Sequence, residues 1–524
     1  MIAAINLIKG LKMYQLLLFF IIFTIDLSSN ETLNNVQKES SLYKEAIRTV
    51  GNKNVITSYL WKDVTTNIAD SSKWRVYGRN TIEDVDGFTK ITILNDGRGA
   101  LLRLKNIARS LTSPPDKKNY KITFSAYIVK GSSDSNVVVK NMATWHDASK
   151  LLTETPLKYV VKLPNTSQDR PFIQFLGAPA GSSIYISKKI KIERMKDRVY
   201  KQPSIPFKGV ILDMKEPRKK AVIEEWFRDL DRVGAKFIRL QVSPTFSMEG
   251  LTTSQYMTSI VDRVKTKYLP LIRQYGMKAM VCYEGMPFDD PALKNRKNVG
   301  YWENPITKQT FREMAHSLAS GLKNEPEIVA LQFCAEPVNS NNQTPENWHE
   351  ISEEVIKIVR QYTDKYIVWS NGPGGLSRYT KAVPFDDDRI VYSYHNYAPA
   401  KYTHQGTSSN FKYGVPYPGS KVMTREIESI VAFRDRNNNI PIMCGAYSVV
   451  NWVSDGDLWL SDFITLLEKN NVPAIQHLFG QYRPWDWRYI GTYHENKVNS
   501  FIYDTSRKNK LWTLLSNYLK GSPK

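Results

Sequence analysis

The chain has 524 residues, 42% hydrophobic and 23% charged, a globular balance that excludes wholesale disorder and has room for two or three domains, or one barrel with a partner module. Lys and Arg (72) outnumber Asp and Glu (51), for a net charge of +21, but unevenly: residues 30–200 carry 28 basic and 16 acidic side chains, residues 201–524 carry 42 and 34. There is no Lys/Arg block of the kind that nucleic-acid arms carry, so no nucleic-acid partner is expected and the charge reads as a scattered, solvated surface. Three cysteines, Cys282, Cys334 and Cys444, exclude a disulfide scaffold.

Residues 1–29 read as a secretory signal peptide. Lys9 and Lys12 precede the apolar run Leu16–Ile25, and Leu27-Ser28-Ser29 follows; Met13 is a second candidate start. The run is about half the ~20 apolar residues of a spanning helix. A secreted, extracellular protein without a transmembrane anchor after cleavage is therefore expected. Three glycosylation sequons begin at Asn30, Asn165 and Asn342, relevant in a eukaryotic host. Residues 30–50 are a polar leader.

Residues 51–196 hold short β-branched and aromatic runs separated by Gly/Ser/Asn/Asp clusters. Thr89–Ile93, Tyr120–Ile128, Phe172–Phe175 and Ser183–Ile186 are examples. Many short strands at short spacing predict an all-β sandwich. Residues 197–204 form the linker.

From Ile205 to the end the rhythm is strand then helix, eight times over. The strands predicted are Gly209–Asp213, Phe237–Val242, Ala279–Glu284, Val329–Glu336, Tyr366–Asn371, Ile390–Asn396, Pro441–Ala446 and Ala474–Phe479. Helical periodicity follows most of them, as in Ala221–Val233 and Gln309–Leu322; the helix after the fifth strand is poorly marked. Eight such units over residues 205–524 predict a TIM (β/α)8 barrel, an α/β fold whose active face is the C-terminal end of its strands.

The strand ends are chemically loaded. Arg239 lies on strand 2, Glu284 ends strand 3, Glu336 ends strand 4 before Pro337, and His395 and Tyr397 end strand 6. Two carboxyls with a cation and a His at one barrel mouth suit glycosidic chemistry. One carboxyl protonates the leaving oxygen, and the other acts as nucleophile or base. Blander roles exist for each: a salt bridge between Arg239 and Glu284, a structural strand-end Glu336, a core His395.

Residues ~205–490 resemble glycoside hydrolase family 5, the cellulase-type barrels. The resemblance rests on the basic residue of strand 2, Glu336-Pro337 ending strand 4, His395-x-Tyr397 ending strand 6, and the lead-in Lys323-Asn324-Glu325-Pro326-Glu327-Ile328. It implies a general acid/base at Glu336 and substrate contacts at Arg239, His395 and Tyr397. It also exposes departures. The Asn expected before the acid/base is Ala335, the strand-3 His position is Glu284, and the nucleophile position in Gly445-Ala446-Tyr447 is Ala446. The family's strand-8 Trp falls near Phe479, with Trp485 and Trp487 beyond. A methyl group cannot replace a nucleophilic carboxylate, so a polysaccharide-binding but catalytically impaired barrel is the leading expectation. An active hydrolase pairing Glu336 with Glu284 as substitute base is the second, and a structural or adhesive surface protein the third. No cofactor and no metal is implied.

The loops above the mouth are aromatic, with Trp302, Phe411, Trp485 and Trp487 among the residues suited to stacking on sugar faces. The three cysteines each lie two positions before a strand-end residue, which predicts that all three face the barrel interior. The all-β region resembles carbohydrate-binding modules of the family 4/9 type, on Phe124–Ile128, Leu151–Glu154 and Ile184–Ile186. Trp61, Trp74 and Trp145 are its candidate stacking residues. Its basic charge favours acidic glycans or an anionic cell surface.

Overall fold

A computed structural model describes most of the chain from Trp61 to Gly521. Outside the described residues lie 1–60 and 522–524, and internally 69–73, 78–79, 95–99, 105–119, 132–137, 142–149, 164–171, 177, 196–198, 215–218, 243–250, 285–301, 339–346, 372–378, 380–381, 481, 495–496 and 507. The expected signal peptide, polar leader and Trp145 fall there.

The first part is all β. Its strands are β1 (Trp61–Ile68), β2 (Trp74–Tyr77), β3 (Asn80–Val85), β4 (Phe88–Ile93), β5 (Ala100–Leu104) and β6 (Tyr120–Val129). They continue with β7 (Val138–Asn141), β8 (Lys150–Leu151), β9 (Leu157–Leu163), β10 (Phe172–Leu176), β11 (Ser183–Ser187) and β12 (Lys189–Met195). They form two antiparallel sheets. One runs β1-β12-β6-β11-β4-β3 with β9 also on β6, and the other runs β2-β5-β10-β7-β8. Alternation decides the buried face of the first sheet. Ile91 and Ile93, Ala126 and Ile128, and Ile184 and Ile186 are fully buried, while Tyr127 and Tyr185 between them stack on the other face at 4.6 Å. Trp61 and Trp74 lie in β1 and β2.

The second part is a closed barrel of eight parallel strands in chain order. They are β13 (Gly209–Asp213), β14 (Phe237–Val242), β15 (Lys278–Tyr283), β16 (Ile328–Gln332), β17 (Tyr366–Ser370), β18 (Ile390–Asn396), β19 (Ile442–Tyr447) and β20 (Ala474–Phe479). Helices with one apolar face cover the outside. Lys220–Val233, for example, buries Ile223, Trp226, Phe227, Leu230 and Val233, and ends at Gly234, whose φ of +85° is the left-handed cap that glycine adopts without Cβ strain. Strand 4 stops at Gln332, earlier than its apolar run suggested, so Glu336 sits on irregular chain past the strand end. A hairpin, β21 (Tyr489–His494) with β22 (Lys497–Tyr503), follows strand 8 before the last helix; the sequence reading had not anticipated it.

The barrel interior is filled by Ile211, Phe237, Met280, Ala330, Val368, Val391, Met443, Ala446 and Ile475, with Phe207 stacked on Phe237 at 4.6 Å. Met443 and Ala446 share this interior although they are three residues apart. Register shifts in β19, against both β18 and β20, break the period-2 alternation there. This corrects the expectation for the cysteines. Cys282 lies inside near Arg239, but Cys444 is not part of the interior cluster that holds Met443 and Ala446; its thiol lies near Tyr394 and Glu426 and donates to the Ala446 carbonyl at 3.4 Å. All three thiols are free and buried.

Candidate active site

The C-terminal mouth opens into a cleft of about 850 Å³. Of the residues expected there, it brings together Arg239, Glu284, Glu336, His395, Tyr397, Ala446 and Trp485, with Phe411 from the chain after β18. Each comes from a different place on the rim: β14, the end of β15, the chain past β16, β18 and its exit, β19, and the loop after β20.

Glu336 and His395 form the tightest polar contact, with Nδ1 of His395 2.6 Å from Oε1 of Glu336. Glu284 has its own donor, the side-chain amide of Gln241 on β14. Arg239 is 1% exposed and donates from Nη1 to the carbonyl oxygen of Gly445 at 3.0 Å, while its Nε has no partner. Arg239 thus does not pair with Glu284. Ala446 stands one residue further on, opposite His395 in the β18–β19 register.

Electrostatics follow from this crowding. Burial and the charges of Glu336 and Glu284 push the Tyr397 phenol well above its ordinary value, against the pull of Arg239. Burial, with Arg239 and the His395 imidazole close by, drives His477 down from 6.5 to about 3 and keeps its imidazole neutral. Burial also raises the Cys282 thiol to about 12, so it is no nucleophile.

Several cleft residues escaped the sequence reading. His477 lines the floor from β20, and Gln241 from β14. Strand alternation could have pointed to Gln241, two positions beyond Arg239. His404 comes from the chain after β18, and Val422, Arg425, Glu426 and Ser429 from the helix Lys421–Arg436. Burial raises the Glu426 carboxyl to about 7. Trp485 anchors an aromatic floor. It stacks on Tyr397 at 5.5 Å and meets His404 and His477 edge-on at 5.0 and 4.9 Å.

Four expected residues lie elsewhere. Trp302 is 2% exposed, packs against Phe311 and Trp348, and donates its indole N–H to the Val338 carbonyl. Trp487 is fully buried and donates to Val449. Phe479 points behind the strand and stacks on Trp512 of the last helix at 5.7 Å. Ala335 is fully buried. Each aromatic found a core partner from a distant element, which chain position alone does not reveal. No cluster of three or more metal-ligating side chains occurs among the described residues.

Comparison with known proteins fits this geometry. The cellulase (glycosyl hydrolase family 5) model matches residues 205–481. Cellodextrinase A of Ruminococcus flavefaciens is 23% identical over 212 residues, 36% of this chain and 59% of its own length. Endoglucanase C of Acetivibrio thermocellus is 23% identical over 208 residues, 33% and 59% respectively. The chain thus spans about three fifths of these relatives. Among solved structures, the endoglucanase Cel5A of Thermotoga maritima aligns over 59% of this chain and 96% of its own, at 20% identity and a TM-score of 0.45. With the family model covering more than half of its length, the chain belongs to glycosyl hydrolase family 5, the cellulase family.

Proposed function

We propose that this protein is a secreted, polysaccharide-binding member of the family whose retaining hydrolysis is disabled. The observation that carries this reading is Ala446. It sits at the end of strand 7, lining the cleft that holds Glu336, Arg239 and Tyr397. Retaining hydrolysis needs a second carboxylate ~5 Å from the acid/base to form the glycosyl-enzyme. A methyl group there leaves Glu336, held by His395, able to give a proton but with no nucleophile to share the work. The stacked Tyr397–Trp485 pair and the polar floor are what a sugar-binding cleft needs, and neither depends on a nucleophile. Residues 1–29 act as the signal peptide, and the described residues hold no helix long and apolar enough to cross a membrane. Residues 51–196 serve as a carbohydrate-binding module that docks the barrel on its glycan.

The test is reducing-sugar release from β-glucans, mannans, xylans and uronate-bearing polysaccharides, with binding measured on the same panel. The expected result is binding without turnover in the native protein and measurable turnover in Ala446→Glu. A second reading draws support from Glu284 and Glu336 lining one cleft. In it Glu336 acts as acid and Glu284 as base in an inverting reaction, which needs the carboxyls ~6.5–9.5 Å apart. Native turnover abolished by Glu336→Gln and by Glu284→Gln would establish that reading and remove the first.

A further inference from the structure

Among the described residues, Arg239 is a cation without a paired anion. It is almost wholly buried, its Nη1 donates to a neutral carbonyl, the other group within its hydrogen-bonding reach is the neutral thiol of Cys282, and among the described residues its Nε has no partner and it makes no ion pair. Buried charges are ordinarily paired, because nothing else offsets the lost hydration. The two carboxylates nearest in the cleft already have donors of their own. Glu336 is held by His395, and Glu284 by Gln241.

The surroundings of Ala446 add to this. Nε2 of His395 has no partner, and it stands 3.3 Å from where a Cβ on Gly445 would be, beside the residue on which Arg239 rests. The indole N–H of Trp485, also in the cleft lining, is unpartnered too. Arg425 brings a second guanidinium to the same cleft. The cleft that lacks a side-chain carboxylate at position 446 therefore holds several groups that favour one.

Resting on the glycan-binding reading above, we propose that the space over Ala446 receives the carboxylate of a uronic acid unit, so that the preferred ligand is an acidic glycan. A planar guanidinium matches a carboxylate bidentately, whereas a neutral sugar offers it only hydroxyls. The negative charges of Glu284 and Glu336 oppose an incoming anion; their own donors offset part of that, and the Arg239 guanidinium, bonded only to neutral groups, supplies the attraction.

The test is calorimetric titration of the full chain with a uronate-bearing oligosaccharide, a neutral oligosaccharide of equal length, and sodium formate. The proposal expects the acidic ligand to bind at least tenfold more tightly than the neutral one, with formate weaker than both. Ala446→Glu, which supplies an internal carboxylate, and Arg239→Met, which removes the charge but keeps the bulk, should each bring the acidic-to-neutral ratio close to one. Melting curves identify a misfolded variant, and the other then decides. Equal affinity of the native protein for both oligosaccharides overturns the proposal and leaves glycan binding standing. Formate binding as tightly as the acidic oligosaccharide also overturns it, in favour of a small-anion site. No binding of either oligosaccharide overturns both readings. A ratio that survives in both folded variants places recognition elsewhere.

Discussion

At the scale of single residues, two groups set the acid limit of the cleft and its support. His477 is neutral in the fold, its value lowered from 6.5 to about 3 first by burial and then by Arg239 and His395. The unfolded chain therefore takes up a proton that the folded one refuses. The resulting stability is complete above about 6.5 and is lost as pH falls toward 3. His477→Gln should flatten the decline in melting temperature between pH 7 and pH 4 relative to the native protein. Parallel curves would refute this. Asp504 works at lower pH. Burial alone would raise it, but the donors of Ser506, Asn509 and Lys508 outweigh burial and hold it near 2 against an ordinary 3.8. Its contribution is present above about 3.8 and lost as pH falls toward 2. Asp504→Ala should cost about 1–3 kcal/mol in urea unfolding at pH 7, since it strands several donors at the start of the last helix.

At the scale of elements, the chain after strand 8 is tied to the first barrel helix by a buried ion cluster. Arg488 donates from Nε and Nη2 to both oxygens of Asp486, at 2.9 and 2.6 Å, and from Nη1 to Asp229 at 3.4 Å. Asp486 also accepts the Gly480 N–H, and Tyr503 of β22 reaches Asp229 and Glu225 on the helix. All three charged side chains are nearly fully buried. Removing Asp486 takes both short bonds from the buried Arg488 and leaves it only the 3.4 Å contact to Asp229, so Asp486→Ala should destabilise by about 3–5 kcal/mol. The chain carrying Trp485 should loosen with it. Equilibrium unfolding measures the first effect, and loss of glycan affinity the second.

At the scale of the molecule, a basic all-β region precedes a barrel with a polar, aromatic cleft, and the whole carries +21. Affinity for an acidic polysaccharide should therefore fall roughly threefold or more between 50 and 300 mM salt, as screening shortens the reach of exposed charges. Binding to a neutral glycan should change far less. Surface plasmon resonance at the two salt concentrations distinguishes these outcomes.

The amino-acid sequence by itself determined the barrel, because eight apolar strand runs alternating with amphipathic helices have few other ways to bury their faces. It also showed that position 446 lacks a carboxylate, since chemistry absent from a side chain is absent in any fold. Tertiary structure alone decided which groups meet. Trp302, Phe479 and Trp487 went to core partners while Trp485 went to the cleft, because a ring after a strand turns toward whatever surface a distant element presents. Cys444 stayed out of the interior cluster that takes in Ala446 because the register slips between them. Arg239 was legible as a strand-2 cation, but only the folded barrel left it buried beside Gly445 with no carboxylate paired to it among the described residues. Side-chain pairing across a barrel depends on stagger and bulges that local pattern does not encode.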